Sequence, residues 1–333
     1  MYTYVGSENI YHPNAPVTLD SVEDPHQKAG PRRLYENNHQ AAAVVQGRIH
    51  LPGRVQLLAG GRFDFLRDHN YSINATDPTA APILSDRTIW LPQYAVTYNP
   101  KDNLTLYGNY SVMLSLGPQA PWWAGGFFLP PYFTRQVEIG AKFEPSRRIL
   151  ITTALFHMRA PFFYPKVIDS AGDQNFVSEG RETHNGVEVI AEGKAASWLR
   201  LTASAAGIRA VSDETGTPAF DNKQVINVPH LHTALFADLL VPHAHRLHLM
   251  PGWSYTGRKE ATRDDAVSVS GYNIFNLGAR YMPWGETGRV SLRLYADNIM
   301  DKRYWKDTGA SYGDTFIHLG APTTVRLSVH YTF

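Results

Sequence analysis

TVRLSVHYTF, residues 324–333, alternates without a break: Val325, Leu327, Val329, Tyr331 and Phe333 fall on one side, Thr324, Arg326, Ser328, His330 and Thr332 on the other. A strand sends successive side chains to opposite faces, whereas a helix would scatter both sets around its circumference. VSLRLYADN (290–298) repeats the pattern, with Val290, Leu292, Leu294 and Ala296 opposed to Ser291, Arg293, Tyr295 and Asp297. One face is apolar and the other carries Arg293, Asp297 and Arg326. Such strands separate an apolar medium from a wet one.

Outward from these two, segments of the same kind lie near 1–6, 39–50, 54–67, 88–99, 104–113, 135–144, 148–168, 180–194, 198–211, 228–241, 246–257 and 270–282. With 289–298 and 323–333 they make fourteen candidate strands. The gaps alternate in length: 7–38, 68–87, 114–134, 169–179, 212–227, 258–269 and 299–322 are long, while 51–53, 100–103, 145–147, 195–197, 242–245 and 283–288 are short. Long connections therefore gather at one end and tight turns at the other, as in a transmembrane β-barrel. The expected fold is all-β, an antiparallel transmembrane β-barrel occupying 1–333 as one domain.

Composition removes several alternatives. The 31 basic and 30 acidic residues nearly cancel and leave no electrostatic footprint for nucleic acid. The pairs Arg32-Arg33 and Arg147-Arg148 fall in a predicted loop and beside a predicted turn, where charge is solvated. Cysteine is absent, which excludes a disulfide framework, a thiolate metal site and a Cys nucleophile. No apolar run reaches the length of a helical membrane span. A propeller would repeat at a period of about 40–50 residues and two sandwiches would need a mid-chain linker; neither is visible. Residues 1–16, MYTYVGSENIYHPNAP, show no basic n-region or apolar h-region of a secretory signal. The motifs H-E-x-x-H and G-x-x-x-x-G-K are also absent, so no enzymatic activity is expected.

LRLYADNIMDKRYWKD (292–307), followed by GAPTTVRLSVHYTF (320–333), resembles the closing strands of TonB-dependent outer-membrane receptors. Asn298, Asp301, Lys302 and Tyr304 match the family motif, with Ile299 at its aliphatic position and Met300 where Phe is usual. LPQYAVTYNPKDNLTLYGNYS (91–111), RQVEIGAKFEP (135–145), GRETHNGVEVIAEG (180–193) and NVPHLHTALFAD (227–238) are similar to successive barrel segments of the ferric-siderophore branch. The similarity runs in order from about Gly60 to Phe333. It implies a bacterial outer-membrane receptor that captures a ferric siderophore at extracellular loops and couples to TonB through an N-terminal plug region. Its further partners would be outer-membrane lipid and the barrel-assembly machinery, the latter reading the C-terminal strand ending at Phe333. No protein cofactor is implied, because the siderophore itself coordinates iron. Family barrels have about 22 strands around a plugged lumen. With no plug or TonB box recognisable, the fourteen segments are read as the last strands of an N-terminally incomplete receptor, which is not expected to drive energised uptake alone. A passive substrate-specific porin, a receptor for haem, cobalamin or carbohydrate, and a soluble β-rich binding protein are the other readings the residues leave open.

The candidate ligand contacts are aromatic. SLGPQAPWWAGGFFLPPYF (115–133) concentrates Trp122, Trp123, Phe127, Phe128, Tyr132 and Phe133 in a predicted extracellular loop, and RYWKDTGASYGDTF (303–316) adds Tyr312. Broad π faces give large contact area at little rotamer cost. The same residues could equally pack the loop on itself or belong to an interfacial girdle. Tyr304 is read as structural. The pairs His230/His232 and His243/His245 share a face in strand geometry but lack a third ligand at suitable spacing, so no metal site is expected. Asp264 and Asp265 are read as solvated loop charge. Asp297, Arg293 and Arg326 are expected on the wet face.

Overall fold

Strand formation extends beyond the alternating segments. A computed structural model describes residues 33–73, 83–118, 129–168, 174–244, 246–285, 288–308 and 317–332. The elements are β1 (Arg33–Leu51), β2 (Val55–Ile73), β3 (Ile83–Lys101), β4 (Leu104–Ser115), β5 (Tyr132–Ser146), β6 (Ile149–Val167), β7 (Gln174–Ala196), β8 (Leu199–Asp213), β9 (Leu231–Leu240), β10 (Leu247–Thr256), β11 (Lys259–Glu260), β12 (Ser268–Val269), β13 (Tyr272–Tyr281), β14 (Val290–Asp297), β15 (Trp305–Thr308), β16 (Ile317–Leu319) and β17 (Thr324–Tyr331). There is no helix among the described residues. Thirteen strands form one sheet in the order β1-β2-β3-β4-β5-β6-β7-β8-β9-β10-β13-β14-β17, while β11-β12 and β15-β16 are separate two-stranded ribbons.

Thirteen of the fourteen expected segments correspond to these sheet strands; the segment at 1–6 lies outside the described residues. The expected connections need correction. Residues 68–87 were read as a loop, yet β2 continues to Ile73 and β3 starts at Ile83, and β7 starts at Gln174 inside the expected loop 169–179. At the end of β2 the sequence is polar at successive positions, RDHNYS (67–72). Backbone pairing continues where neither face is apolar, so the alternation that marks a strand is gone. The expected loops 258–269 and 299–322 likewise contain the two short ribbons.

The chain divides into two compact units, Met1–Val44 with Arg62–Trp90, and Val45–Gly61 with Leu91–Phe333. In the first, the Asp64 carboxylate is almost fully buried. It accepts hydrogen bonds from Arg62 Nε at 2.8 Å, from a terminal guanidinium nitrogen of Arg62 at 2.8 Å and from Gln40 Nε2 at 2.7 Å. A buried carboxylate needs such partners. The Phe63 and Trp90 rings meet at 4.4 Å, and Leu66 and Ile89 are buried.

In the second unit the strand registers carry one face from strand to strand. Gly108 is opposite Ile139, Ile139 opposite Leu155, Leu155 opposite Val187, and Val187 opposite Gly207, which faces Leu231. At the C-terminal side Leu277 faces Ala296, Ala296 faces Val325, and Leu294 faces Leu327. This face is apolar and exposed: Ile139, Leu155 and Leu327 keep 57%, 54% and 72% of their surface, more contiguous apolar surface than a water-facing sheet tolerates. Tyr98, Trp198, Tyr281 and Trp284 lie toward its tight-turn end and Tyr94, Tyr110 and Trp253 toward the other, the placement of aromatic girdles. Arg293, Asp297 and Arg326 fall on the opposite face, as the alternation predicts; Arg326 pairs with Asp297 at 2.7 Å and lies over the Tyr295 ring.

Three glycines on that polar face lie under aromatic rings. A Cβ on Gly140 would stand 2.4 Å from the Thr153 carbonyl and 2.5 Å from the Tyr107 ring; on Gly186, 2.3 Å from Phe156; on Gly278, 2.4 Å from Tyr295. The ring of one strand covers the missing side chain of the next, a way of stiffening strands that glycine would otherwise weaken. Between β6 and β7 the register slips at Pro161. Pro161, which cannot donate a ladder hydrogen bond, and Gly180, at φ 83°, both sit at this bulge.

The family-like motif after β14 has a local explanation. Asn298 is buried with φ 49°, a conformation Asn tolerates better than other non-glycine residues. Its Nδ2 donates to the carbonyls of Lys302 at 2.9 Å and Ala321 at 3.0 Å, and its Oδ1 accepts from Lys302 N–H at 2.9 Å. Asp301, at φ 47°, accepts from Thr323 N–H, and Tyr304 packs on Tyr272 at 4.2 Å with Gly320 beneath its ring. Asn298→Ala should destabilise the folded chain by about 2 kcal/mol, because two carbonyls and one N–H lose their buried partner. Urea unfolding in detergent would measure it, and an effect below about 0.5 kcal/mol would contradict this role.

Candidate functional site

Polar and aromatic clusters fall at two places on the polar face of the second unit and at its long-loop end. Near the tight turns, Asp238 on β9 accepts from His248 Nδ1 on β10 at 2.5 Å and from the Arg280 guanidinium on β13 at 3.1 Å. His248 is buried and its Nε2 has no partner among the described residues. The cluster borders a cleft of about 390 Å³ that Lys194 and Arg200 also line. On β4 and β5, the Tyr107 hydroxyl donates to Glu138 at 2.8 Å and Gln136 Nε2 donates to the same carboxylate at 3.0 Å.

At the long-loop end, β6 carries the buried rings of Phe162 and Tyr164, which meet Phe220 from the connection 214–230 at 6.3 and 5.2 Å. The Tyr164 hydroxyl donates to the Thr215 carbonyl at 2.7 Å and lies 3.3 Å from Glu179, whose carboxylate holds Lys166 at 2.6 Å. Thr215 is fully buried and pinned through Asp221, which accepts from both its N–H and its hydroxyl at 2.8 Å. The connection after β8 is therefore a folded layer.

A second layer joins three long connections. Buried Lys259 on β11 donates to Asn227 Oδ1 at 2.7 Å and to the Lys306 carbonyl. Thr308 on β15 donates to the Glu260 carbonyl at 3.2 Å. Asn227, at φ 65°, donates through its own N–H to the same carbonyl. Burial pushes the Lys259 ammonium below its ordinary range, with Asp307 opposing the shift. Asp264 is exposed and Asp265 half-buried in the loop between β11 and β12, and each also makes hydrogen bonds that hold its loop. Hydrogen bonds from the Thr262 hydroxyl and Ala266 N–H hold Asp264 below the usual carboxylate range, and Asp265 accepts from Gln224 N–H at 3.1 Å.

Of the predicted aromatic contacts, Phe133 is described, half-buried on β5 opposite Leu114, and so is Tyr132. It begins β5, half-buried, with its ring edge-on to Phe163 at 4.9 Å. Trp122, Trp123, Phe127, Phe128, Tyr312 and the terminal Phe333 lie outside the described residues. His230 and His232 flank the start of β9, His243 stands in a turn at φ 65°, and His245 is outside the described residues. Among the described residues no three His, Asp or Glu side chains converge as metal ligands would. Sequence reasoning missed Phe162, Tyr164 and Phe220. The run PFFYP (161–165) was a usable signal, since Phe162 and Tyr164 share the parity of the polar face yet are aromatic.

The family model for the TonB-dependent receptor-like β-barrel matches residues 2–299. The ferrichrome receptor FcuA of Yersinia enterocolitica is 24% identical over 288 residues, 84% of this chain and 36% of the relative. The ferrichrome outer-membrane transporter and phage receptor of Escherichia coli K12 is 24% identical over 92% of this chain and 40% of its own length. The chain thus spans less than half the length of these curated relatives. Among solved structures, the siderophore receptor PiuA of Acinetobacter baumannii aligns at TM-score 0.72 and 19% identity, over 90% of this chain and 44% of that one. The ferric yersiniabactin uptake receptor FyuA of Yersinia pestis aligns at TM-score 0.69 and 17% identity, over 91% of this chain and 47% of its own.

Proposed function

Because the chain belongs to the TonB-dependent receptor β-barrel family, we propose that it forms lipid-crossing wall and loops of a bacterial outer-membrane receptor for a ferric siderophore, coupled to TonB in the whole protein. The observation that carries this reading is the register-locked pair of faces. The apolar face, exposed over many strands and bordered by aromatics, suits hydrocarbon, and the polar face suits a wet or plugged lumen. The names of the curated relatives support a ferrichrome-like cargo. A passive porin accounts for the faces equally well but not for relatives that are named receptors.

The test is binding of iron-labelled ferrichrome to outer membranes carrying the whole receptor. Saturable binding is expected, and replacing Trp122, Trp123 and Phe128 together by Ala should raise Kd about tenfold or more, the loss of roughly 1.4 kcal/mol of aromatic contact. Heat-modifiable migration should be unchanged. Absence of saturable binding would remove the siderophore reading, and unchanged affinity in the triple variant would return the loop to a packing role.

A further inference from the structure

We propose that the apolar face carries a docking site for a phosphorylated lipid headgroup, built by Arg135, Arg159 and Arg209 at its long-loop rim. The inference rests on the reading that this face meets lipid.

The registers place the three arginines together. Arg135 on β5 is directly opposite Arg159 on β6, Arg159 is opposite Thr183 on β7, and Arg209 on β8 is opposite Asn185 on β7. All belong to the face of Ile139, Leu155 and Val187, not to the face of Glu138 and Glu188. His157 and Asn185 fill the rung below Arg159, their side chains 2.7 Å apart. The patch therefore spans four adjacent strands and two rungs, about 14 Å across at the usual strand spacing.

None of the three has an ion-pair partner among the described residues. The nearest carboxylates on the same face, Asp213 and Glu214, are held by Arg181 at 3.0 and 2.8 Å. Cations placed directly opposite each other repel, and Arg135 and Arg159, on adjacent strands about 5 Å apart, lie well within the Debye length of about 8 Å at physiological salt. Exposed charge of one sign without a counter-charge calls for an anion, and guanidinium groups match phosphate oxygens in a two-point fork.

Depth identifies the anion's carrier. Along β5, Phe143 to Arg135 is eight residues, about 26 Å of strand, or roughly 20 Å of height at the tilt of membrane barrels. The arginines thus stand where an apolar band ends and headgroups begin, at the rim away from the tight turns. Facing away from the polar side, they cannot meet cargo in the lumen.

The full chain, inserted in vesicles of phosphatidylcholine with one-tenth phosphatidic acid, would be extracted and its retained lipid counted by native mass spectrometry. Phosphatidic acid should be enriched at least tenfold over its vesicle fraction, and Arg135→Gln, Arg159→Gln and Arg209→Gln together should abolish that enrichment. Arg200→Gln, on the polar face, should leave it intact. Equal enrichment in the triple variant and the wild type overturns the site, as does complete displacement by millimolar inorganic phosphate, which would mark a free-anion site. A wild-type chain that never inserts overturns the membrane reading and the site with it, whereas an inserted wild type without enrichment overturns the site alone.

Discussion

Arginine in place of Val189 should cost about 2–4 kcal/mol in the membrane-inserted state, while arginine in place of its neighbour Ile190 should cost less than about 0.5 kcal/mol. The two side chains are alike in size, and each keeps 39% of its surface. They differ in face. Val189 is opposite Thr153 and Ala205, on the ladder of Leu155 and Val187; Ile190 is opposite Thr152 and Ser204, on the ladder of Glu188 and Glu192. Val189 also lies four residues from Gly193 at the tight-turn end and six from Thr183 at the other. A guanidinium there cannot readily snorkel to either interface. The measurement is the fraction of chain in the heat-modifiable, protease-resistant form after assembly in outer membranes. Equal yields for Val189→Arg and Ile190→Arg would mean that the apolar face does not meet lipid.

Valine in place of Gly140 should cost about 3 kcal/mol, the upper end of what overpacking usually costs. Its Cβ would press on the Thr153 carbonyl of the neighbouring strand as well as on the Tyr107 ring. The ring could rotate away only by giving up its hydrogen bond to Glu138. The carbonyl cannot withdraw without opening the β5–β6 ladder. Gly140→Val combined with Tyr107→Ala should recover only part of the loss, because the backbone contact persists. Full recovery in urea titrations of the double variant would show that the ring alone needed the glycine.

Much of the sheet was legible because a strand between an apolar and a wet medium must alternate, and TVRLSVHYTF does so without exception. Legibility ended where the medium stopped differing. RDHNYS (67–72) is polar throughout, so β2 was read too short although its backbone stays extended. The ribbons β11-β12 and β15-β16 were invisible for a different reason: two to four residues carry no measurable period. The candidate site was legible only as composition. Lys259, Asn227, Lys306 and Thr308 meet across as many as 81 residues of sequence, and no local spacing encodes that. Asn298 and Asp301 were recognisable as motif residues, but the left-handed backbone that calls for them is a fact of the fold.

Every strand of the large sheet takes its partners from the strands next to it in the chain, the short ribbons being side branches. Such a meander has low contact order and can grow hairpin by hairpin, each new strand templated on the last, without a long loop closing first. It is also modular. Removing or duplicating one hairpin with its two turns leaves every other ladder with its own partners and parity, so the circumference of such a wall can change in steps of two strands while neither face is turned over.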